Sequence, residues 1–411
     1  MFILFHHAKQ KFPIKVWLQK PEQVDAGCLE QGLHLANLPF LHQWVALMPD
    51  THQGIGMPIG GVIATKDVII PNAVGVDIGC GMAYVQTNLP AKVLTKTDTP
   101  NGKLIQAVIG DILRNIPVGF AHHKQKQDCH TLDIAKENLL KYEFAKELIP
   151  EINEGYFQVG TLGGGNHFIE LQEDEDGLIG IMLHSGSRNF GLKICHYFNE
   201  VAKKLNKQKD ISLPKEYNLA FLPTESEEGK SYIEWMSLAL EFARENRGQM
   251  LEQVMELLSR WVKKYTKDSV SYSGRINCHH NYAALEEHYG AKAWVHRKGA
   301  IRAGQDEPGI IPGAMGSFSY LVKGLGNPES FESCSHGAGR KYSRTRAKQK
   351  YSVEEVLKDL KECRVVLGKH KKSDVAEESR FAYKDIDFVI QNELDLVKPV
   401  KKLSTVGVVK G

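Results

Sequence analysis

Short runs rich in Val and Ile, bounded by glycine and other turn residues, alternate irregularly with segments whose apolar positions recur every three or four residues. The first kind, PIGGVIAT (58–65), DVIIPNAVGVDI (67–78), GLIGIMLH (177–184) and KAWVHRKGAI (292–301), predicts strands. The second predicts helices over 132–149, 192–205 and 231–265, with Gly248 bending or breaking the last. A further amphipathic helix is predicted over 352–363, where Ser352 is the N-cap and Glu355 completes a capping box. Strands and helices do not alternate as a doubly wound sheet demands. The expected class is α+β, with mixed sheets and a helical insertion near 192–265.

No repeat, long linker or low-complexity tract separates these pieces, so one catalytic domain over 1–411 is expected. A hydrophobic fraction of 42% in 411 residues suffices for a proper core. MFILFHH offers too short an apolar run for a signal peptide, and no stretch approaches the ~20 apolar residues of a membrane span, so a cytoplasmic location is expected. Seven cysteines without CxxC spacing argue for reduced thiols.

The glycines cluster. GIGMPIGG (54–61), GVDIGCGM (75–82), VGTLGGGNH (159–167), HSGSR (184–188), PGAMG (312–316) and HGAGR (336–340) are six turns that could line one cleft. Nucleotide motifs fail on inspection. In GSRNFGLK (186–193), Leu192 stands where a P-loop needs lysine; Lys193 comes one residue late and is followed by Ile194, not Ser or Thr. A strict GxGxxG and the KxDG lysine motif are both absent.

Asp77 and Cys80 share one glycine-bracketed turn, and His167, His184 and His280 occupy similar settings. Singly, each reads as a structural residue; together they read as a two-metal set, which thiolate and imidazole would make zinc and the carboxylate leaves open to manganese. Asp50 reads equally well as a turn residue or as part of a cleft. The net charge of +3 announces no polyanion partner, but Arg340, Lys341, Arg344, Arg346, Lys348 and Lys350 form a local basic run that is either a solvated face or a phosphate track.

Taken in order, MPDTHQGIGMPIGG, GVDIGCGM, GTLGGGNHFIE, HSGSRNFG, CHHNYA, VHRKGAIRAG, IIPGAMGSFSY, ESCSHGAGRKYSRTRAK and AYKDID resemble the RtcB family of RNA ligases over nearly the full chain. That resemblance implies a GTP-dependent enzyme with two Mn2+ ions that joins RNA 3′-phosphate or 2′,3′-cyclic phosphate ends to 5′-hydroxyl ends, in RNA repair or tRNA splicing. It implies Cys80 bridging the ions, with His167 and His184 completing one and Asp77 and His280 the other. His336 is implied as the nucleophile that takes GMP from GTP.

Guanylate contacts are implied for Asn166, His167, Phe168, Ile169 and Glu170, for His280 and Asn281, and for Pro312, Gly313, Ala314, Met315 and Ser319. His336, Gly337, Ala338, Gly339 and Lys410 complete that implied set. Asp50, Arg188, Lys298 and Arg340 are implied along the path of the RNA ends, and an archease-like activator is a possible partner. A metal-dependent cyclic phosphodiesterase, or an RNA-end-binding protein without activity, would use part of the same set.

Overall fold

The computed structural model describes residues 1–411 as a mixed α+β structure built on two principal sheets. Six strands pair in the order Phe2–Leu4, Ile14–Val16, Leu41–His52, Ile59–Thr65, Ala291–Lys298 and Asn281–His288. The second sheet runs Tyr272–His279, Gly81–Pro90, Leu178–Ser185, Phe168–Asp174, Val397–Lys410, Phe318–Gly324 and Pro308–Ile311, with Val366–Gly368 pairing in parallel beside Val397–Lys410. Its edge strands come back beside each other, so the sheet curls toward a barrel. Nearly all pairs are antiparallel, which suits chains that turn back through short glycine-bearing connections.

Strand alternation separates core from site. In Phe168–Asp174, Ile169 and Leu171 join a cluster of buried apolar side chains under the helices, while Phe168 and Glu170 face the other way.

Several sequence expectations change. The run 67–78 is a two-residue strand, Val68–Ile69, followed by a helical turn, Pro71–Val74; Pro71 cannot donate to a ladder but is well suited to a helix start. The helix expected over 132–149 breaks into His130–Glu137, a 3-10 segment kinked at Ala145, and Ile149–Gln158. Pro150 sits at the start of that last helix, where its missing N–H costs nothing.

Gly248 does not break the long segment. Glu227–Thr266 is one 40-residue helix. Buried side chains on both sides of Gly248 anchor it: Trp235, Ala239 and Phe242 in one cluster, Met250, Val254 and Leu258 in another. That packing outweighs the ~1 kcal/mol helix penalty of a glycine. Nor is 192–265 an insertion. Its first helix is Arg188–Gln208, residues Leu222–Pro223 pair with Val68–Ile69, and the long helix lies against the eight-stranded sheet as part of the core. The capping box at Ser352 and Glu355 is formed, opening the helix Val353–Glu362.

Candidate active site

Strand register brings the metal-ligand candidates together. Gly81 pairs with Ser185 on one side and His279 on the other, and His184 pairs with Phe168. Cys80, His167, His184 and His280 therefore all stand at the same end of four neighbouring strands. Asp77 lies one turn before Cys80, on a backbone that Gly75 and Gly79 carry through positive φ. Close approach fixes one more glycine: a Cβ at position 186 would overlap the Asp77 carboxylate.

The donor atoms converge. Cys80 Sγ lies 3.2 Å from His184 Nε2 and 3.4 Å from His167 Nε2, and these three atoms fall within 4.8 Å of one another. Asp77 Oδ2 is 3.2 Å from His167 Nε2, and His280 Nε2 is 3.3 Å from His184 Nε2. Asp77 thus neighbours His167 and His280 neighbours His184, while Cys80, His167 and His184, the trio the resemblance implies for one ion, have donor atoms that are all mutually close. His167 Nδ1 is 2.9 Å from the Leu162 carbonyl, a bond in which the ring donates and Nε2 keeps its lone pair for a cation.

Burial first, then the neighbouring His167 and His336, holds His184 well below the ordinary imidazole range; burial and His336 do the same for His280. Burial and the Asp77 charge push the Cys80 thiol well up. Neutral imidazoles around a thiol that cannot ionise unaided are a donor set that fits divalent cations, which would supply the missing positive charge. His280 Nδ1 is buried without a partner.

His336 follows the short strand Ser333–Ser335, which pairs with Ala300–Arg302. Its ring stands 4.8 Å from the His280 ring, edge to face. Nδ1 lies 2.6 Å from Oδ2 of the fully buried Asp50, which also accepts the His336 backbone N–H at 3.2 Å. With Nδ1 donating to a carboxylate, Nε2 is left with its lone pair. Gly339, at φ +70, lets the next turn press on the Asp50 backbone; any Cβ there would overlap the Asp50 carbonyl.

The implied nucleotide contacts divide in two. The turn Pro312–Met315 abuts the His336 loop: Pro312 O accepts Ala338 N–H at 3.0 Å, Gly337 lies against Pro312, and Gly313 N–H donates to Ser319 Oγ at 3.1 Å. Buried Glu170 accepts from Gln172 and Thr405 at 2.6 and 3.1 Å, and burial lifts its carboxyl to about 7. Lys410 Nζ donates to Asn166 O at 3.2 Å, pairs with Glu378 at 3.4 Å and lies 5.6 Å from the Phe168 ring centre. Met315 and Ala314 are buried beside this group.

Two of the implied residues face elsewhere: the Ile169 side chain is in the core, and the Asn281 amide is spent on Asp77 O (3.0 Å) and Gly299 N–H (2.8 Å), where it braces the metal turn.

Of the implied RNA contacts, Asp50 is the His336 partner just described. Arg188, at φ +59, donates to Thr161 Oγ1 and Gly119 O at 3.0 and 2.7 Å. Lys298 is buried on two carbonyls, Ile55 O at 2.5 Å and Asn72 O at 3.0 Å, and burial lowers it to about 8. Arg340 is fully engaged: its guanidinium holds Tyr342 O, Glu378, Tyr383 Oη and Glu377 O, which leaves little of it for a phosphate.

Sequence reasoning missed the supports. Arg247 is wholly buried under the metal turn and donates to Gly79 O (2.7 Å), Ser185 O (2.9 Å) and Asn277 Oδ1 (2.8 Å). Asn246 ties Thr161, Ser185 and Gly186 together. Their signal was there: 243, 246, 247 and 250 share one helix face, so two polar residues occupy the apolar stripe. Lys384 brackets Asp50 by donating to Pro49 O and Thr51 O at 2.9 and 2.7 Å, and Glu393 accepts the Ser335 N–H at 2.9 Å. No helix is long and apolar enough to cross a membrane.

A family model described as tRNA-splicing ligase RtcB matches residues 31–411. The RNA-splicing ligase RtcB of Escherichia coli (strain K12) is 39% identical over 412 residues, covering 97% of this chain and 97% of its own. The tRNA-splicing ligases RtcB of Thermococcus kodakarensis and Pyrobaculum aerophilum are 31% and 29% identical, covering 93% and 98% of this chain and 91% and 95% of theirs. With a match of that extent, the chain belongs to the RtcB family of RNA ligases.

Proposed function

We propose that the chain acts as one catalytic unit, a GTP- and Mn2+-dependent ligase joining RNA 3′-phosphate or 2′,3′-cyclic phosphate ends to 5′-hydroxyl ends. The observation that carries this reading is the Asp50–His336 pair beside the thiol and imidazole cluster: a histidine with one nitrogen held by a carboxylate, and the other free next to a cation site, is arranged for attack on phosphorus.

His336 Nε2 attacks the α-phosphorus of GTP; the P–N bond forms as the bond to pyrophosphate breaks. Asp50 keeps the Nδ1 proton in place and compensates the positive charge of the substituted ring. An oxygen of the RNA 3′-phosphate then takes the guanylyl group, returning the electron pair to His336. Finally the 5′-hydroxyl attacks the activated RNA phosphate and GMP leaves. A cyclic phosphate is opened by hydrolysis first.

Asp77, Cys80, His167, His184 and His280 would together hold the ions, which would act as Lewis acids on phosphate oxygens. Gly337 and Gly339 leave backbone space beside His336, and Lys410 with the Pro312–Met315 turn would border the guanylate.

The test is covalent labelling with GTP carrying a radioactive α-phosphate. His336→Ala should lose labelling while still binding Mn2+; full labelling in that variant would remove the nucleophile assigned here. A cyclic phosphodiesterase would need the metals and not His336, so cyclic-end hydrolysis without labelling in the wild type would favour it.

A further inference from the structure

The basic run divides into two faces. Arg344 and Lys348, four residues apart on the helix Arg344–Lys350, turn toward the acidic turn Val375–Glu378: Arg344 Nε is 3.7 Å from Glu378 and 3.8 Å from Glu377, and Lys348 pairs with Glu377. Arg340 joins Glu378 from the preceding loop at 3.2 Å. These three cations all have carboxylate partners within the fold.

Arg346 and Lys350, also four apart, project to the other side with Lys341. None of the three has a carboxylate within salt-bridge reach, and all are exposed. They surround one ring: Lys350 Nζ, the Arg346 guanidinium and Lys341 Nζ lie 4.5, 5.1 and 5.7 Å from the centre of Tyr342. Three unneutralised cations crowded on one aromatic repel each other, and a polyanion would relieve that repulsion.

The aromatic surface continues beyond Tyr342. Its ring centre is 6.4 Å from Tyr351, and Tyr351 is 5.5 Å from Phe381, which is 38% exposed despite its apolar ring. A row of rings interleaved with free cations matches how single strands are held, bases stacking on aromatics while the backbone meets positive charge; a duplex, with its bases already stacked, cannot use the rings. The helix that carries two of these cations reaches the candidate active site with its other face: Arg344 packs over Gly165, where a Cβ would come within 2.7 Å of its guanidinium, two residues from His167.

We propose that Tyr342, Tyr351 and Phe381, with Lys341, Arg346 and Lys350, form a stacking track for single-stranded RNA, holding nucleotides that lead to the reacting end. The track deepens the ligase reading and rests on it for the identity of the strand.

Binding of a fluorescein-labelled single-stranded RNA of about ten nucleotides, a length within the usual range for such surfaces, tests it by anisotropy over a salt series. Tyr342→Ala should weaken binding about tenfold, the scale of one lost base stack, and Tyr342→Phe should restore it. The combined Lys341→Gln, Arg346→Gln and Lys350→Gln variant should lower the slope of log Kd against log salt by about 2, as for three lost phosphate contacts on a single strand.

Unchanged affinity in Tyr342→Ala together with an unchanged slope in the triple variant overturns the track, and so does duplex RNA of equal length binding as tightly as the single strand. Should the triple variant unfold at a lower temperature than the wild type, exposed Lys350→Gln alone takes its place with an expected slope change of about 0.7. GTP labelling of the wild type is scored separately. Labelling with no effect of these variants on RNA sinks the track and leaves the ligase reading; the predicted RNA effects in a protein that never labels keep the surface and sink the ligase.

Discussion

Asp50 Oδ2 accepts two hydrogen bonds from His336, one from the ring Nδ1–H at 2.6 Å and one from the backbone N–H at 3.2 Å. One buried oxygen therefore sets the tautomer, the ring orientation and the entry of the loop. Asp50→Asn removes the charge that would compensate a guanylylated imidazole. Labelling by GTP should slow by about a hundredfold or more, the range for losing a group that controls proton position, with Mn2+ binding retained. Labelling at the wild-type rate would show that Asp50 only anchors the loop.

Arg247 joins the long helix to the turn before Cys80, at Gly79 O, and to the strand end after His184, at Ser185 O. Arg247→Leu takes a donor from Ser185 O and leaves Gly79 O with the His279 ring alone, at about 1–3 kcal/mol for a buried group left unpaired. The thermal midpoint should fall, and Mn2+ affinity should weaken by about 10–100-fold, as for lost supports of metal ligands. A stable variant with intact metal affinity, read by calorimetric titration, would show that the turn holds itself.

Glu393 gives a pH signature. Burial lifts its carboxyl to about 8 against an ordinary 4.5, with the Ser335 N–H partly opposing. Between those values the folded chain keeps a proton that the unfolded chain releases. Its contribution is complete below pH 4.5 and disappears as pH rises through about 8. Glu393→Gln should therefore flatten the loss of urea stability between about pH 4.5 and 8; parallel wild-type and variant curves would mean the carboxyl is already ionised.

Gly248 stands in open space on a continuous helix, with nothing within 4 Å of the place a methyl group would take. Gly248→Ala should stabilise the protein by about 0.5–1 kcal/mol through helix propensity alone, with no change in GTP labelling. A destabilised variant would point to a bend that the helix needs.

What was legible in the chain followed from local chemistry. The strands 59–65, 178–185 and 291–298 showed as Val- and Ile-rich runs, and the clustered donors showed because Asp77, Cys80, His167 and His184 sit in or beside glycine turns. Pro71 hid a helical turn inside an apparent strand, and Gly248 suggested a break that tertiary packing prevents. Which imidazole neighbours which donor depended on strand register across nearly 200 residues, from Gly81 to His279, and spacing carries no register. Lys384 and Glu393 were invisible for the same reason: their partners are backbone groups that only the assembled sheets bring near. Arg340 looked free in a run without acids, but Glu378 arrives from 38 residues away to occupy it.

The strand Phe168–Asp174 has a cost in evolvability. Its alternate residues serve opposite masters: Ile169 and Leu171 fill the helical core, while Phe168 and Glu170 border the site. Inserting or deleting a single residue here would exchange the two sets at once, driving a carboxylate into oil and emptying the pocket wall. Point substitutions can be tried one face at a time, but changes of length in this strand have no partial version, so the family's length variation should fall in its connections and spare this segment.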